Sequence, residues 1–128
     1  MTPEAAAPPL AVIVDDEATI RLLLSQTLET VGFRVEEAED GPTALAMIER
    51  LAPKLVLLDA RLPGMDGFAV CRAIRQLPTG KAVAVVMMTG MDEAGLRSRA
   101  LEVGATDIIG KPFRLVELGQ RLRALVAG

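Results

Sequence analysis

Short apolar runs alternate with amphipathic stretches along this chain, and that alternation restricts the fold more than any other feature. Residues 10–14 are apolar throughout, as a strand covered on both faces must be. A helix is expected over 17–31, with Ile20, Leu24, Leu28 and Val31 on one stripe and Gly32 as its stop. Residues 33–38 alternate apolar with polar and read as a strand at a sheet edge. Gly41-Pro42 opens a second helix, with Leu45, Ile48 and Leu51 inward and Pro53 beyond its end. A buried strand follows over 55–58, then a loop with Pro63, Gly64 and Gly67, a helix over 68–76 and a turn over 78–80. The remaining units are a strand over 83–88, a helix over 93–103 stopped by Gly104, and a short strand over 107–110. Leu115, Leu118, Leu122 and Leu125 mark a closing helix. Five consecutive βα units imply an α/β fold, a doubly wound parallel sheet with right-handed crossovers and helices on both faces. The apolar first strand and more polar second one favour the flavodoxin-like order 2-1-3-4-5.

Composition narrows the chemistry. The 128 residues are 51% hydrophobic and 24% charged, the balance of one globular domain, expected over 10–127 behind a flexible lead over 1–9. That lead has neither the basic nor the apolar region of a signal peptide, and no apolar run reaches the roughly 18 to 20 residues of a membrane span. A net charge of -3 gives no reason to expect nucleic-acid binding. With no histidine, neither a histidine phosphocarrier nor a His-based triad can be built. Cys71 is the lone cysteine, so no intrachain disulfide forms, which fits a reducing cytoplasm. Aromatics are 2%, with no Trp or Tyr, which counts against cofactors gripped by ring stacking.

In doubly wound sheets, ligands sit beyond the carboxyl ends of the strands. Here the first strand runs into Asp15-Asp16-Glu17, the third into Asp59, the fourth into Thr89-Gly90 and the fifth into Lys111-Pro112. Two unit charges ~4 Å apart at an effective dielectric of about 20 repel by roughly 4 kcal/mol. Neighbouring carboxylates therefore weigh heavily on a domain stable by about 5 to 15 kcal/mol. One lysine cannot offset them, whereas a hard divalent cation with oxygen ligands can, and Mg2+ suits such a site. With Mg2+ in place, one carboxylate can act as a nucleophile towards phosphorus. Lys111 then neutralises phosphoryl charge and Thr89 donates a hydrogen bond.

The motifs VIVDDE (12–17), LVLLDARLPGMDG (55–67), VVMMTG (85–90) and GATDIIGKPF (104–113) occur in that order, each at a strand end. Together they resemble a two-component response regulator receiver domain over about residues 10–126. The resemblance implies that Asp59 is the phospho-acceptor and that Asp16 binds Mg2+ directly, with Asp15 acting largely through water. It implies that the Arg61 backbone carbonyl is a further ligand, that Thr89 is the switch hydroxyl, and that Lys111 is the partner lysine, followed by a cis bond to Pro112. It also implies a phosphohistidine donor, either a sensor histidine kinase or a histidine phosphotransfer protein, and an output domain or effector as the regulated partner. Such a domain is cytoplasmic and catalyses only its own phosphorylation and dephosphorylation. One position departs: Ile108 stands where the family often has Tyr or Phe, so a rotating aromatic cannot report the switch. MMTGMDE with RALEVGATDIIGKPF is similar to receivers that precede diguanylate cyclase or other output domains. The chain therefore reads either as a stand-alone relay or as a piece of a longer regulator.

Plainer readings stand beside these. Asp15-Asp16 suits a helix N-terminus in its own right, Asp59 a loop after a strand, Lys111 a surface turn and Thr89 a local turn hydroxyl. Asp66 reads as a cap of the third helix, Cys71, Met87 and Met88 as packing, and Arg114, Glu117, Arg121 and Arg123 as a solvated face. Two other functions fit the strand ends less well. A haloacid-dehalogenase-type phosphatase wants D-x-D at the first strand, where this chain has IVDDEA. A flavin binder needs a hydroxyl- and Gly-rich phosphate loop there, where acids repel phosphate.

Overall fold

The structure, a computed structural model, describes residues 7–90 and 95–126. Its strands are β1 (Leu10–Val14), β2 (Arg34–Ala38), β3 (Leu55–Asp59), β4 (Ala84–Thr89) and β5 (Asp107–Gly110). Its helices are α1 (Ala18–Thr30), α2 (Gly41–Leu51), α3 (Gly67–Gln76), α4 (Leu96–Glu102) and α5 (Leu115–Leu125), with a 3-10 turn over Pro78–Gly80. All four strand pairings are parallel and the order is β2-β1-β3-β4-β5, as the sequence predicts. The edge position of β2 follows from its side chains: only Ala38 is buried, whereas β1 and β3 are buried throughout.

Strand alternation divides the interior into two cores. Val12, Val14, Val56, Leu58, Val85 and Met87 face α2, α3 and α4, where they meet Ile48, Val70, Cys71, Ile74 and Ala100. Ala11, Ile13, Leu55, Leu57, Val86 and Met88 face α1 and α5, where they meet Leu24, Leu28, Leu118 and Leu122. Cys71 and both methionines are therefore packing residues, on opposite sides of the sheet in the case of Met87 and Met88. Ile108, half-buried, packs against the first core.

Several expectations shift in detail. Asp59 and Thr89 are the last residues of their strands, so the ladder itself holds them. Helix α1 starts at Ala18, with Glu17 as an N-cap that makes no side-chain cap bond. Helix α4 begins at Leu96, and the expected start at Glu93 lies outside the described residues, as do most of the N-terminal lead and residue 127. Asp66 caps α3 by accepting from the Ala69 N–H at 2.8 Å, and Asp40 does the same for α2 through Thr43 at 2.8 Å. Arg114, Glu117 and Arg121 are exposed, as a solvated face requires, and Arg123 departs from that reading. Arg121 pairs with Asp107 of β5, and the half-buried Arg123 places its guanidinium 5.8 Å from the Phe33 ring centroid, because both reach across to neighbouring elements.

One side chain the sequence left unremarked ties three segments together. Arg75, at the end of α3, donates to the carbonyls of Gly104 (2.8 Å), Gly80 (2.8 Å) and Val83 (2.7 Å). Gly104 has φ +101, and a Cβ there would lie 2.8 Å from Arg75 Cγ, so glycine both turns the chain and admits the arginine. Charged donors to backbone carbonyls are worth about 1.5 to 3 kcal/mol when their loss strands the acceptors. Arg75→Met is expected to lower unfolding free energy by about 2 to 3 kcal/mol in urea titrations. A change near zero would show that water satisfies those carbonyls equally well.

Candidate functional site

The parallel ladder brings the carboxyl ends of β1, β3, β4 and β5 to one rim. Asp15 directly follows β1, and its N–H donates to the Ala38 carbonyl at 3.1 Å. Asp59 pairs in register with Met88, and the next N–H, of Ala60, reaches the Met88 carbonyl at 2.8 Å. Thr89 pairs with Gly110, and the Lys111 N–H reaches the Thr89 carbonyl at 2.6 Å. Each residue is thus held by sheet hydrogen bonds before its side chain makes any contact. The peptide bond between Lys111 and Pro112 is cis, as the resemblance implies.

At this rim the acids and the lysine converge. One carboxylate oxygen each from Asp15, Asp16 and Asp59 lies within 4.8 Å of the others. Lys111 Nζ stands 3.5 Å from Asp15 Oδ2 and 3.5 Å from Asp59 Oδ2. Asp15 is wholly buried, Asp59 nearly so, and Asp16 is exposed. Asp15 Oδ1 accepts the Glu17 N–H at 2.9 Å, so the residue does serve the start of α1, as the plainer reading holds. Its other oxygen, Oδ2, is buried and takes no hydrogen bond. Asp59 Oδ1 accepts from the Arg61 N–H at 3.0 Å, which brings Arg61 to the site through its backbone while its side chain stays exposed. Thr89 is buried at the neighbouring strand end.

Two buried carboxylates less than 4.8 Å apart repel by about 3 kcal/mol or more at an effective dielectric of about 20. Burial pushes the Asp59 carboxyl above its ordinary value. The Arg61 N–H bond and the Lys111 charge oppose that rise, and the Asp15 charge adds to it. The donor set answers what could relieve this strain. It offers oxygen ligands alone, two of them from buried acids, and one oxygen stands without a hydrogen-bond donor. A hard divalent cation such as Mg2+ fits such a set.

Two features of the rim escaped the sequence reading. Gly67 opens α3 so close to Asp59 that a Cβ would lie 2.3 Å from the Asp59 carbonyl oxygen and 2.7 Å from Ala60 Cα. The signal lay in the sequence, as a glycine directly after the capping Asp66, but only the tertiary approach gives it meaning. Beside Asp59 lies a cavity of about 240 Å3 lined by Ala60, Arg61, Asp66, Phe68, Thr89, Leu96 and Arg99. Arg99 covers the Phe68 ring at 4.0 Å from its centroid and lies 3.9 Å from Asp66.

A carboxyl raised by burial stabilises the fold while it is protonated, below the ordinary carboxylate pKa of about 4, and that contribution is lost as pH rises through the raised value. Asp59→Asn carries no charge at any pH. In chelator at pH 7 it is expected to melt higher than the parent chain, with the gap closing as pH falls towards about 4. A lower melting temperature at pH 7 would show that Lys111 and the Arg61 N–H outweigh burial and Asp15.

Comparison with known proteins gives one family. The response regulator receiver domain matches residues 11–123. Among curated relatives, Response regulator PleD of Caulobacter vibrioides is 46% identical over 114 residues, covering 88% of this chain and 25% of that protein. The chain spans less than half the length of other relatives too, at 46% and 44% of two algal transcriptional regulators named ycf27. Among solved structures, a putative response regulator from Chloroflexus aurantiacus superposes with a TM-score of 0.88 at 33% identity, covering 94% of this chain and 99% of that one. The receiver domain of sensor histidine kinase PA1611 from Pseudomonas aeruginosa gives 0.86 at 30% identity, covering 95% of this chain and 100% of that one. That structure has a magnesium ion coordinated in its active site cleft.

Proposed function

This chain belongs to the response regulator receiver domain family, and we propose that it takes a phosphoryl group onto Asp59 and relays the resulting change of shape. The observation that carries the reading is the placement of Lys111 Nζ at 3.5 Å from both buried acids, Asp15 and Asp59, at the rim where the strands end. A carboxylate so placed is a nucleophile beside a fixed cation.

In this reading, Asp15, Asp16, Asp59 and the Arg61 backbone carbonyl would hold Mg2+. The ion, when bound, offsets the carboxylate repulsion and the charge on the phosphoryl oxygens. An Asp59 carboxylate oxygen attacks phosphorus as the bond to the donor nitrogen breaks, and the leaving imidazole takes up a proton. Lys111, already paired with Asp59, turns its ammonium to the phosphoryl oxygens, and Thr89 donates its hydroxyl to them. Water later attacks phosphorus, the bond from phosphorus to the Asp59 oxygen breaks, and inorganic phosphate leaves as Asp59 returns to the free carboxylate.

The donor in this reading is a phosphohistidine on a sensor histidine kinase or a histidine phosphotransfer protein, and the recipient of the signal is an output domain or effector. The receiver unit spans residues 10–127 behind a lead over 1–9, and the setting is cytoplasmic. Phosphorylation adds about -1.5 to -2 charges, which shifts conformers only through contacts that differ between them. With Ile108 packed into the core in place of an aromatic, the change travels through Thr89 and the strands around it.

Labelling decides the assignment. With Mg2+ and acetyl phosphate or a phosphohistidine donor, an acid-stable, base-labile label is expected on Asp59. It should be absent from Asp59→Asn, lost in chelator, and reduced at least ~100-fold in rate in Lys111→Met. Undiminished labelling of Asp59→Asn would place the acceptor elsewhere.

A further inference from the structure

We infer that Arg21 is a positioning residue for the acidic pair, holding Asp15 and Asp16 in the geometry that receives the cation. The inference rests on the metal site proposed above and concerns a residue outside its ligand set.

Asp15 is hydrogen-bonded at every polar atom except one. Its N–H donates to Ala38, its Oδ1 accepts from the Glu17 N–H, and its carbonyl oxygen accepts from Arg21 Nη1 at 2.7 Å. The carbonyl belongs to the peptide that joins Asp15 to Asp16, so the guanidinium grips the link between the two acids. The atom left without a hydrogen bond is Oδ2, which is the oxygen beside Lys111.

The guanidinium is itself held. Arg21 Nε donates to Glu37 Oε1 at 3.0 Å, and Ser25 Oγ donates to Glu37 Oε2 at 3.0 Å. Glu37 belongs to the edge strand β2, one residue before the Ala38 that receives the Asp15 N–H. Arg21 and Ser25 lie four residues apart on α1, so both reach the same carboxylate. The Arg21 side chain is 15% exposed, low for an arginine near a helix start. The planar fork of a guanidinium can bond a carbonyl and a carboxylate at once in fixed directions, which an ammonium cannot. Groups behind metal ligands act this way, setting ligand direction without touching the ion.

Charge and geometry predict opposite signs here. A cation near the site repels a second cation, so if Arg21 acted by charge alone its removal would tighten Mg2+ binding. If it acts by holding the peptide, removal weakens binding.

The experiment measures the Mg2+ dissociation constant from amide chemical shifts of the full chain, with melting temperature recorded in chelator and in saturating Mg2+. Arg21→Met is expected to weaken Mg2+ binding by about tenfold. Arg21→Lys should fall short of restoring it, and Glu37→Ala, which frees the guanidinium without removing it, should weaken it by a smaller factor. The rise in melting temperature caused by Mg2+ should shrink in Arg21→Met. Unchanged or tighter binding in Arg21→Met, or full recovery in Arg21→Lys, would overturn the assignment, as would equal falls in melting temperature with and without Mg2+. Should Arg21→Met fail to fold, Glu37→Ala decides in its place: binding equal to that of the parent chain would overturn the inference. Failure of the parent chain to bind Mg2+ would sink the metal reading itself, and the inference with it.

Discussion

An ammonium shared between two buried carboxylates governs this structure. Lys111 Nζ sits 3.5 Å from an oxygen of Asp15 and 3.5 Å from one of Asp59, with a third acid, Asp16, alongside. One positive charge leaves such a cluster short of neutrality, and burial raises the Asp59 carboxyl above its ordinary value. Folding tolerates it because the sheet beneath is strong enough to hold the groups where they repel. The excess negative charge suits the cluster to a cation with oxygen ligands.

The framework explains why the rim stays in place. Strands β1 and β3 are buried along their whole length between two apolar cores, so their ends cannot shift without disturbing both. Glycine at position 67 lets α3 press against the backbone of Asp59 and Ala60, and Arg75 fastens the far end of the same helix to the loops flanking β4 and β5. Arg21 and Glu37 make a comparable fastening at the start of α1. The surroundings on the α4 side differ. There a cavity opens beside Thr89, and Arg99 rests on the Phe68 ring.

How far the sequence revealed this depends on the element. The order of the strands was legible from one contrast, the apolar run of β1 against the polar residues of β2, because a strand covered on one side only can keep charged side chains. The assembly of Asp15, Asp16, Asp59 and Lys111 was legible because a parallel sheet sends every carboxyl end to the same rim. Thr89 and Asp59 were expected just beyond their strands and instead complete them, a difference that turns loop residues into ladder residues. Arg123 looked like a surface charge because helical periodicity shows which face is wet and not which neighbour stands nearby. It is half-buried and meets Phe33, ninety positions away along the chain.

By itself, then, the sequence determined the five βα units, their parallel arrangement and the identity of the groups at the strand ends, since these follow from periodicity and chain direction. Only the tertiary structure decided which oxygen of Asp15 stands without a hydrogen bond, that Lys111 is shared, that Gly67 touches the Asp59 backbone and that Arg21 reaches behind the acids. The physical reason is range. Local pattern sets the direction of a side chain through backbone geometry, whereas burial and charge are set by residues dozens of positions away that arrive only when the sheet closes its ladder.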